Sequence, residues 1–308
     1  MRVIYGKLPS RRIGCVGTIG IFDGVHMGHR YIISKLACLS SKYESPSLVI
    51  TFDYPPQLVL SSRFRGYLTD LEEKKSLFKS TGIDYLWAMK ISPSLLKMSA
   101  EQYLSFVAKY FSLKHLIVGD DFRFGSHGKS GISDLKTFSR KYNFKLSVIK
   151  KKKMQKHPVS STRIREYIFK GDFRRANKLL GRPYLVKGQV TAGRGFGTRI
   201  GFPTANINTG GHTIPRPGVY CAYAILGPSK YFCAVNIGNK PTFGFNDKIT
   251  LEAHILNFQR NILGRNVKII FLERIRNEKK FSSVYGLKAQ IAKDIQLMSN
   301  KACNFHTI

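Results

Sequence analysis

Two histidines, His26 and His29, stand three residues apart in the stretch Gly20-Ile21-Phe22-Asp23-Gly24-Val25-His26-Met27-Gly28-His29. An apolar run, Ile13 to Ile19, precedes this stretch, and a helix-like run from Met27 to Leu39 follows it. The histidines therefore fall at the first turn of a helix. There, unpaired backbone N–H groups and the positive end of the helix dipole gather around an anion. Gly24 and Gly28 let a phosphate approach the backbone without meeting a Cβ. Histidines so placed suit a grip on the phosphates of a nucleotide.

Three further segments fit the same chemistry. Ser160-Ser161-Thr162-Arg163-Ile164-Arg165 opens a helix, with Ser161 and Thr162 as capping hydroxyls and Arg165 one turn inside, an arrangement suited to a departing pyrophosphate. Gly119-Asp120-Asp121-Phe122-Arg123-Phe124-Gly125 ends a strand with acids, an arginine and aromatics, a mixture that suits a planar charged ligand. Thr51-Phe52-Asp53-Tyr54-Pro55-Pro56 also ends a strand, and its prolines turn the chain sharply.

The second half carries a different pattern. Gly193-Arg194-Gly195-Phe196-Gly197 is a glycine-rich loop, followed by Gly201-Phe202-Pro203-Thr204-Ala205-Asn206. Thr204 and Asn206 offer neutral oxygens, which suit Mg²⁺ held together with a nucleotide and water. Glu252 alternates with apolar Leu251 and Ala253, and the reading is a carboxylate inside a barrel that takes a proton from a substrate hydroxyl. By itself a glutamate in such a strand is more often a solvent-facing residue.

The elements that must position these groups fall into two textures. Strand-like runs at Ile13 to Ile19, Ser47 to Phe52, Tyr85 to Ile91, His115 to Val118 and Phe144 to Ile149 alternate with helix-like runs at Leu71 to Ser80 and Ala100 to Phe111. Asp70 and Ser99 precede those two helices in capping position. The alternation predicts an α/β domain with a parallel sheet, helices on both faces and a site beyond the carboxyl ends of the strands. Short helices at Thr162 to Phe169 and Phe173 to Leu180 follow, and Gly181-Arg182-Pro183 marks the expected junction, giving domains 1–182 and 183–308. Beyond it, runs at Leu185 to Thr191, Gly218 to Leu226, Tyr231 to Ile237, Ile249 to Phe258 and Val267 to Leu272 predict a small antiparallel β-barrel. A helix from Val284 to Met298 is expected to cover it.

Bulk properties narrow the function classes. At 308 residues, 43% hydrophobic and 22% charged, the chain is long enough for two cores. No apolar run reaches membrane-span length and Met1-Arg2-Val3-Ile4-Tyr5 lacks a signal-peptide h-region, so a cytoplasmic location is expected. Cys15, Cys38, Cys221, Cys233 and Cys303 are scattered and form no C-x-x-C pair, which reads as reduced thiols. The net charge of +33 is usual for nucleic-acid binders, and Lys150 to Lys153 are consecutive. Yet the basic residues are dispersed and no aromatic-studded basic motif accompanies them, so a solvated basic surface is favoured over a nucleic-acid partner.

Taken together, these motifs resemble the bacterial bifunctional riboflavin kinase/FMN adenylyltransferase (FAD synthetase) family. The resemblance runs from about Gly14 to Asp294. It includes Gly20 to His29, Leu68 to Lys74, Val118 to Gly125, Ser160 to Glu166, Leu179 to Tyr184, Gly201 to Asn206, Gly218 to Tyr220, Asn236 to Gly244 and Arg276 to Phe281. It implies a nucleotidyltransferase-type, Rossmann-like N-terminal domain and a riboflavin kinase barrel with a terminal helix. It also implies two reactions: MgATP phosphorylates riboflavin to FMN, and a second ATP adenylylates FMN to FAD with release of pyrophosphate.

On this resemblance Glu252 is the kinase general base, while Thr204 and Asn206 hold Mg²⁺ and phosphates. His26, His29 and Arg165 serve adenylyl transfer. Gly20, Phe22, Asp23, Gly24, Asp121, Phe124, Ser161, Thr162, Gly193, Gly195, Gly201, Pro203, Asn236 and Arg276 are expected to line the nucleotide and flavin sites. Riboflavin, FMN, FAD and ATP are the expected small-molecule partners, with Mg²⁺ accompanying ATP and no membrane partner.

The sequence departs from the family pattern in places. Tyr54-Pro55-Pro56 stands where the family usually shows Pro-His-Pro, Arg194 where an acid is common, Thr198-Arg199 where Arg-Thr is common, and Asn257 and Asn277 where Asp is common. The missing histidine leaves open a kinase whose first domain has lost adenylyl transfer. A basic nucleic-acid-binding protein is the more remote alternative.

Overall fold

The computed structural model describes residues 1–154, 157–193, 195–240 and 248–302. The chain divides into two compact units, Met1–Ser161 and Thr162–Ile308.

The first unit holds the strands β1 (Arg2–Ile4), β2 (Ile13–Ile19), β3 (Ser47–Phe52), β4 (Tyr85–Met89), β5 (Phe111–Gly119) and β6 (Lys145–Ile149) in one parallel sheet of order β1-β4-β3-β2-β5-β6. A two-stranded ribbon, β7 (Lys153–Met154) with β8 (His157–Pro158), follows. The helices are α1 (Met27–Lys42), α2 (Gln57–Leu60), α3 (Leu71–Lys79), α4 (Pro93–Lys97), α5 (Ala100–Tyr110) and α6 (Ile132–Lys141).

Residues alternate across the sheet because successive strand side chains point to opposite faces. Val16, Val49, Leu86 and Ile117 pack with Ile33 and Leu36 of α1 and Phe78 of α3. Ile19, Leu48, Ile50, Trp87 and Val118 pack with Tyr103, Leu104 and Val107 of α5 and Leu135 of α6. Both faces are thus covered, as a parallel sheet requires. Asp70 caps α3 by accepting from the Glu73 N–H at 2.7 Å, and Ser99 with Gln102 forms a capping box on α5.

In the second unit α7 (Ser161–Lys170) starts at the division and α8 (Phe173–Leu180) follows. Then come β9 (Leu185–Thr191), α9 (Phe196–Arg199), β10 (Ala205–Asn208), β11 (Gly218–Leu226), β12 (Ser229–Lys240), β13 (Lys248–Ile255), β14 (Asn266–Arg276) and α10 (Val284–Ala302). The strands close an antiparallel barrel in the order β10-β13-β12-β11-β14-β9. Its inner wall is apolar: the paired row Val190–Ile207–Leu251–Ile237 is buried throughout. Phe173 of α8 stacks on Phe271 at 5.1 Å and meets Tyr220 edge-on, so α8 contributes to the core of this unit.

Candidate functional site

The first candidate site begins at the carboxyl end of β2. From β2 the chain proceeds to β3 and β4 on one side of the sheet and to β5 and β6 on the other. The ends of β2 and β5 therefore flank the point where strand order reverses, where such sheets leave a crevice.

The β2–α1 turn is strained. Phe22 (φ 49°), Gly24 (φ 85°) and Val25 (φ 37°) all occupy the left-handed region, which disfavours a β-branched residue such as Val25. The surroundings hold it. The Asp23 carboxylate accepts from the Leu68 N–H at 2.9 Å and the Thr69 N–H at 3.2 Å, and the Gly24 N–H donates to Thr69 Oγ1 at 3.0 Å. Ser161 Oγ donates to the Asp23 carbonyl at 2.8 Å, and Thr51 Oγ1 donates to the Ile21 carbonyl at 2.9 Å. Asp23, read from sequence as a ligand contact, is thus also the peg that locks the turn.

His26 is the N-cap of α1, and its Nδ1 accepts from the His29 N–H at 3.2 Å. The two imidazoles stack with centroids 3.5 Å apart, and Phe22 meets His29 edge-on at 5.1 Å. A Cβ on Gly28 would come within 3.1 Å of the His26 ring, so only glycine leaves that ring in place. His29 Nδ1 is buried without a hydrogen-bond partner among the described residues. Burial, then His26, then Lys74 hold the His29 pKa well below its usual value. His29 is therefore neutral near pH 7 and acts as a hydrogen-bonding group, not as a fixed cation.

Lys74 closes the Leu68–Lys74 motif, and sequence reasoning gives it no role of its own. It is fully buried, and its Nζ donates to the Phe52 carbonyl at 2.8 Å and the Ile21 carbonyl at 3.3 Å. Burial lowers its pKa to about 8, against the opposing pull of Asp23, Asp53 and Asp70. The available signal was its helical spacing from Phe78, which places a lysine on the buried face of α3.

Other expected residues are distributed as follows. Gly20 lies under the Phe22 ring, which a Cβ would meet at 3.0 Å. Asp121 is exposed and pairs with Lys151 Nζ at 2.7 Å, while Phe124 is buried and stacks on Phe122. Asp53 is buried and accepts from the N–H groups of Tyr54 (2.9 Å) and Ile91 (3.0 Å). Tyr54, at the variant Tyr-Pro-Pro, packs its ring against Tyr67 at 5.4 Å. Thr162 and Arg165 lie on α7 in the second unit, whose buried face is Ile164 and Ile168.

The second candidate site lies on the barrel. Strand register places Thr191, Asn206, Glu252 and Asn236 side by side across β9, β10, β13 and β12. This corrects one expectation. Leu251, Ala253 and Ile255 fill the interior, so Glu252 stands on the outer face, partly buried, between two asparagines. His254 shares that face; its ring bonds the Pro203 carbonyl at 2.8 Å and meets Phe202 edge-on, fastening the Phe202–Asn206 segment to β13.

The glycine loop closes over this row. A Cβ on Gly193 would stand 2.0 Å from Asn206 Nδ2, and one on Gly197 would stand 2.4 Å from the Phe202 carbonyl oxygen and 3.0 Å from Thr204 Oγ1. Gly195 (φ 67°) and Gly201 (φ 86°) turn the chain on either side of α9. Arg194 lies outside the described residues, as do residues 241–244 of the expected Asn236–Gly244 motif, and Cys303. A Cβ on Gly238 would meet Glu278 Oε1 at 2.5 Å, so this carboxylate, not singled out from sequence, sits beside Asn236.

Arg276 is engaged structurally. Its Nε and Nη2 both donate to the Asp294 carboxylate of α10, at 2.9 Å and 2.8 Å to Oδ2, and Gln290 Nε2 donates to the same carboxylate. The terminal helix is therefore pinned to β14 by a buried ion pair. Among the described residues no helix is long and apolar enough to cross a membrane.

Two family models match the chain: FAD synthetase over residues 8–163 and riboflavin kinase over residues 180–302. A protein of Buchnera aphidicola subsp. Schizaphis graminum, named bifunctional riboflavin kinase/FMN adenylyltransferase, is 35% identical over 97% of this chain and 98% of its own length. One of the same name from Listeria monocytogenes is 32% identical over 96% of each chain. A crystal structure described as the macrolide-efflux protein of Streptococcus pneumoniae superposes with a TM-score of 0.78 at 28% identity, covering 93% of this chain and 94% of that one.

Proposed function

This chain belongs to the bifunctional riboflavin kinase/FMN adenylyltransferase family, and from that premise we propose that the β2–α1 turn carries adenylyl transfer to FMN and the outer barrel face carries phosphoryl transfer to riboflavin. The enzyme converts riboflavin to FMN and FMN to FAD, with ATP as co-substrate of both steps. The adenylyltransferase motifs fall within residues 1–182 and the kinase motifs within 183–308.

The row Asn206–Glu252–Asn236 carries the kinase assignment. Glu252 takes the proton of the riboflavin 5′-hydroxyl as its oxygen attacks the γ-phosphorus of ATP in line, and the bond to the ADP oxygen breaks. Thr204 and Asn206 would hold Mg²⁺, and their neutral oxygens beside a carboxylate fit an ion that binds through few protein ligands. That ion, when bound, neutralises phosphate charge. Gly193 and Gly197 keep the loop backbone close enough for phosphate oxygens to be shared between loop and row.

In the first unit a non-bridging oxygen of the FMN phosphate attacks the α-phosphorus of a second ATP, and pyrophosphate leaves. The attacking phosphate is already ionised, so no general base is required. The His26 ring, the His29 ring and the N-terminus of α1 stabilise charge on the transferring group. Ser161, whose hydroxyl bonds the Asp23 carbonyl, acts on the leaving phosphates. Among the described residues the thiols of Cys15, Cys38 and Cys233 stand free of disulfides, which fits a reducing compartment, so we place the enzyme in the cytoplasm.

Incubation with riboflavin and MgATP tests the reading. FMN should rise first and FAD should follow at its expense; FMN without any FAD would establish the kinase-only alternative.

A further inference from the structure

Lys74 has no part in the chemistry above, yet it lies directly beneath it. We propose that Lys74 is a positioning residue of the adenylyl-transfer site: its buried ammonium ties the outgoing ends of β2 and β3 together and holds the histidine turn in register only while it keeps its proton. The inference rests on the reading of that turn as the adenylyl-transfer site.

The geometry is specific. Ile21 lies two residues past the end of β2 and Phe52 is the last residue of β3, and their carbonyls both accept from Lys74 Nζ. Ile21 opens the strained turn whose Phe22 packs against His29. A shift of the Ile21 carbonyl is therefore passed to the His29 ring through one residue. The charged and titratable groups facing Lys74 are Asp23 and His29 from the β2–α1 turn, Asp53 from the end of β3, and Asp70 from the cap of its own helix. Three carboxylates around one buried ammonium make the protonated form the organising one. Loss of the proton removes a charge-assisted bond to each carbonyl and leaves those carboxylates without their central counter-charge.

Deprotonation with a midpoint near 8 then has a kinetic signature. FAD formation from supplied FMN and MgATP is measured from neutral pH to about pH 10, with FMN formation from riboflavin by the same preparation as the control. The kcat for FAD formation should fall about tenfold or more through a midpoint near 8, with the control lacking that limb. Lys74→Arg keeps a charge at all these pH values and should abolish the limb while retaining a measurable rate. Lys74→Met should lower kcat about a hundredfold at neutral pH, with a smaller change in the KM for ATP.

An alkaline limb that persists unchanged in Lys74→Arg would assign it to another group and overturn the proposal. So would a flat native profile, which decides the matter even if neither variant folds. A native enzyme that makes no FAD at any pH would instead overturn the reading of the turn, and the role of Lys74 with it.

Discussion

Replacing Gly193 with alanine isolates the contact between the glycine loop and the kinase row. A Cβ built there stands 2.0 Å from Asn206 Nδ2, whereas carbon and nitrogen rest at roughly 3.4 Å, so one group must move by about 1.4 Å. Gly193 is not among the residues with positive φ, so alanine adds no backbone strain. The side-chain amide of Asn206 is the softer partner and yields first. Misplacement of a positioning group by about 1 Å costs on the order of a hundredfold in rate, or about 2.7 kcal/mol of barrier. Gly193→Ala should therefore make FMN about a hundred times more slowly while its thermal melting changes little. FAD formation from supplied FMN should stay at the parental level. Chromatographic separation of the flavins reads both rates in one preparation. Gly195→Ala is the contrast, because its Cβ meets nothing within 4 Å and its φ of 67° adds strain alone. Parental FMN formation by Gly193→Ala would refute the claim that the placement of Asn206 matters.

Two further outcomes follow from packing and charge. A fragment starting at Thr162 should fold and phosphorylate riboflavin, whereas one starting at Tyr184 loses Phe173 and the rest of α8; deletion of that ring alone costs about 3–5 kcal/mol. The shorter fragment should melt well below the longer one, and equal melting temperatures would show that α8 adds nothing to this unit. Acid should also destabilise the protein through His29. Its folded pKa is depressed, so the unfolded state binds the proton first, and the stability present above about pH 6.5 is lost as the pH falls below it. His29→Gln should shift its urea midpoint less between pH 7.5 and pH 5.5 than the parent does; an equal shift would mean that His29 is not the buried group responsible.

Much of the architecture was legible because its physical signals are local. β2, β3, β9, β11 and α8 occupy the residues that their apolar pattern marks out, and Asp70 and Ser99 cap the helices that follow them. α6 was not read, although Ile132, Leu135 and Phe138 recur at helical spacing, because its N-cap is a glycine, Gly131, in place of a capping side chain. β1 is three residues long with one buried side chain, too short for any alternation to show. In the sites, residue type was legible but partnership was not. Asn206, Glu252 and Asn236 become neighbours only through strand register, and alternation alone could not say which face of the barrel Glu252 takes. Arg276 reads as a ligand group until α10 brings Asp294 to it. Lys74 closes the Leu68–Lys74 motif, but its residue type does not mark its side chain as buried, because lysine so seldom lies fully buried.

The central claim is that one chain holds two separate phosphate chemistries, and paired variants test it most directly. Glu252→Gln and His29→Ala are each assayed for FMN formation from riboflavin and for FAD formation from supplied FMN. Glu252→Gln should lower the first rate by two to four orders of magnitude (roughly 10²–10⁴-fold) and spare the second. His29→Ala should spare the first and lower the second about a hundredfold or more. If either variant loses both activities while folded, or keeps both at the parental rate, the division of labour proposed for the β2–α1 turn and the outer barrel face is contradicted.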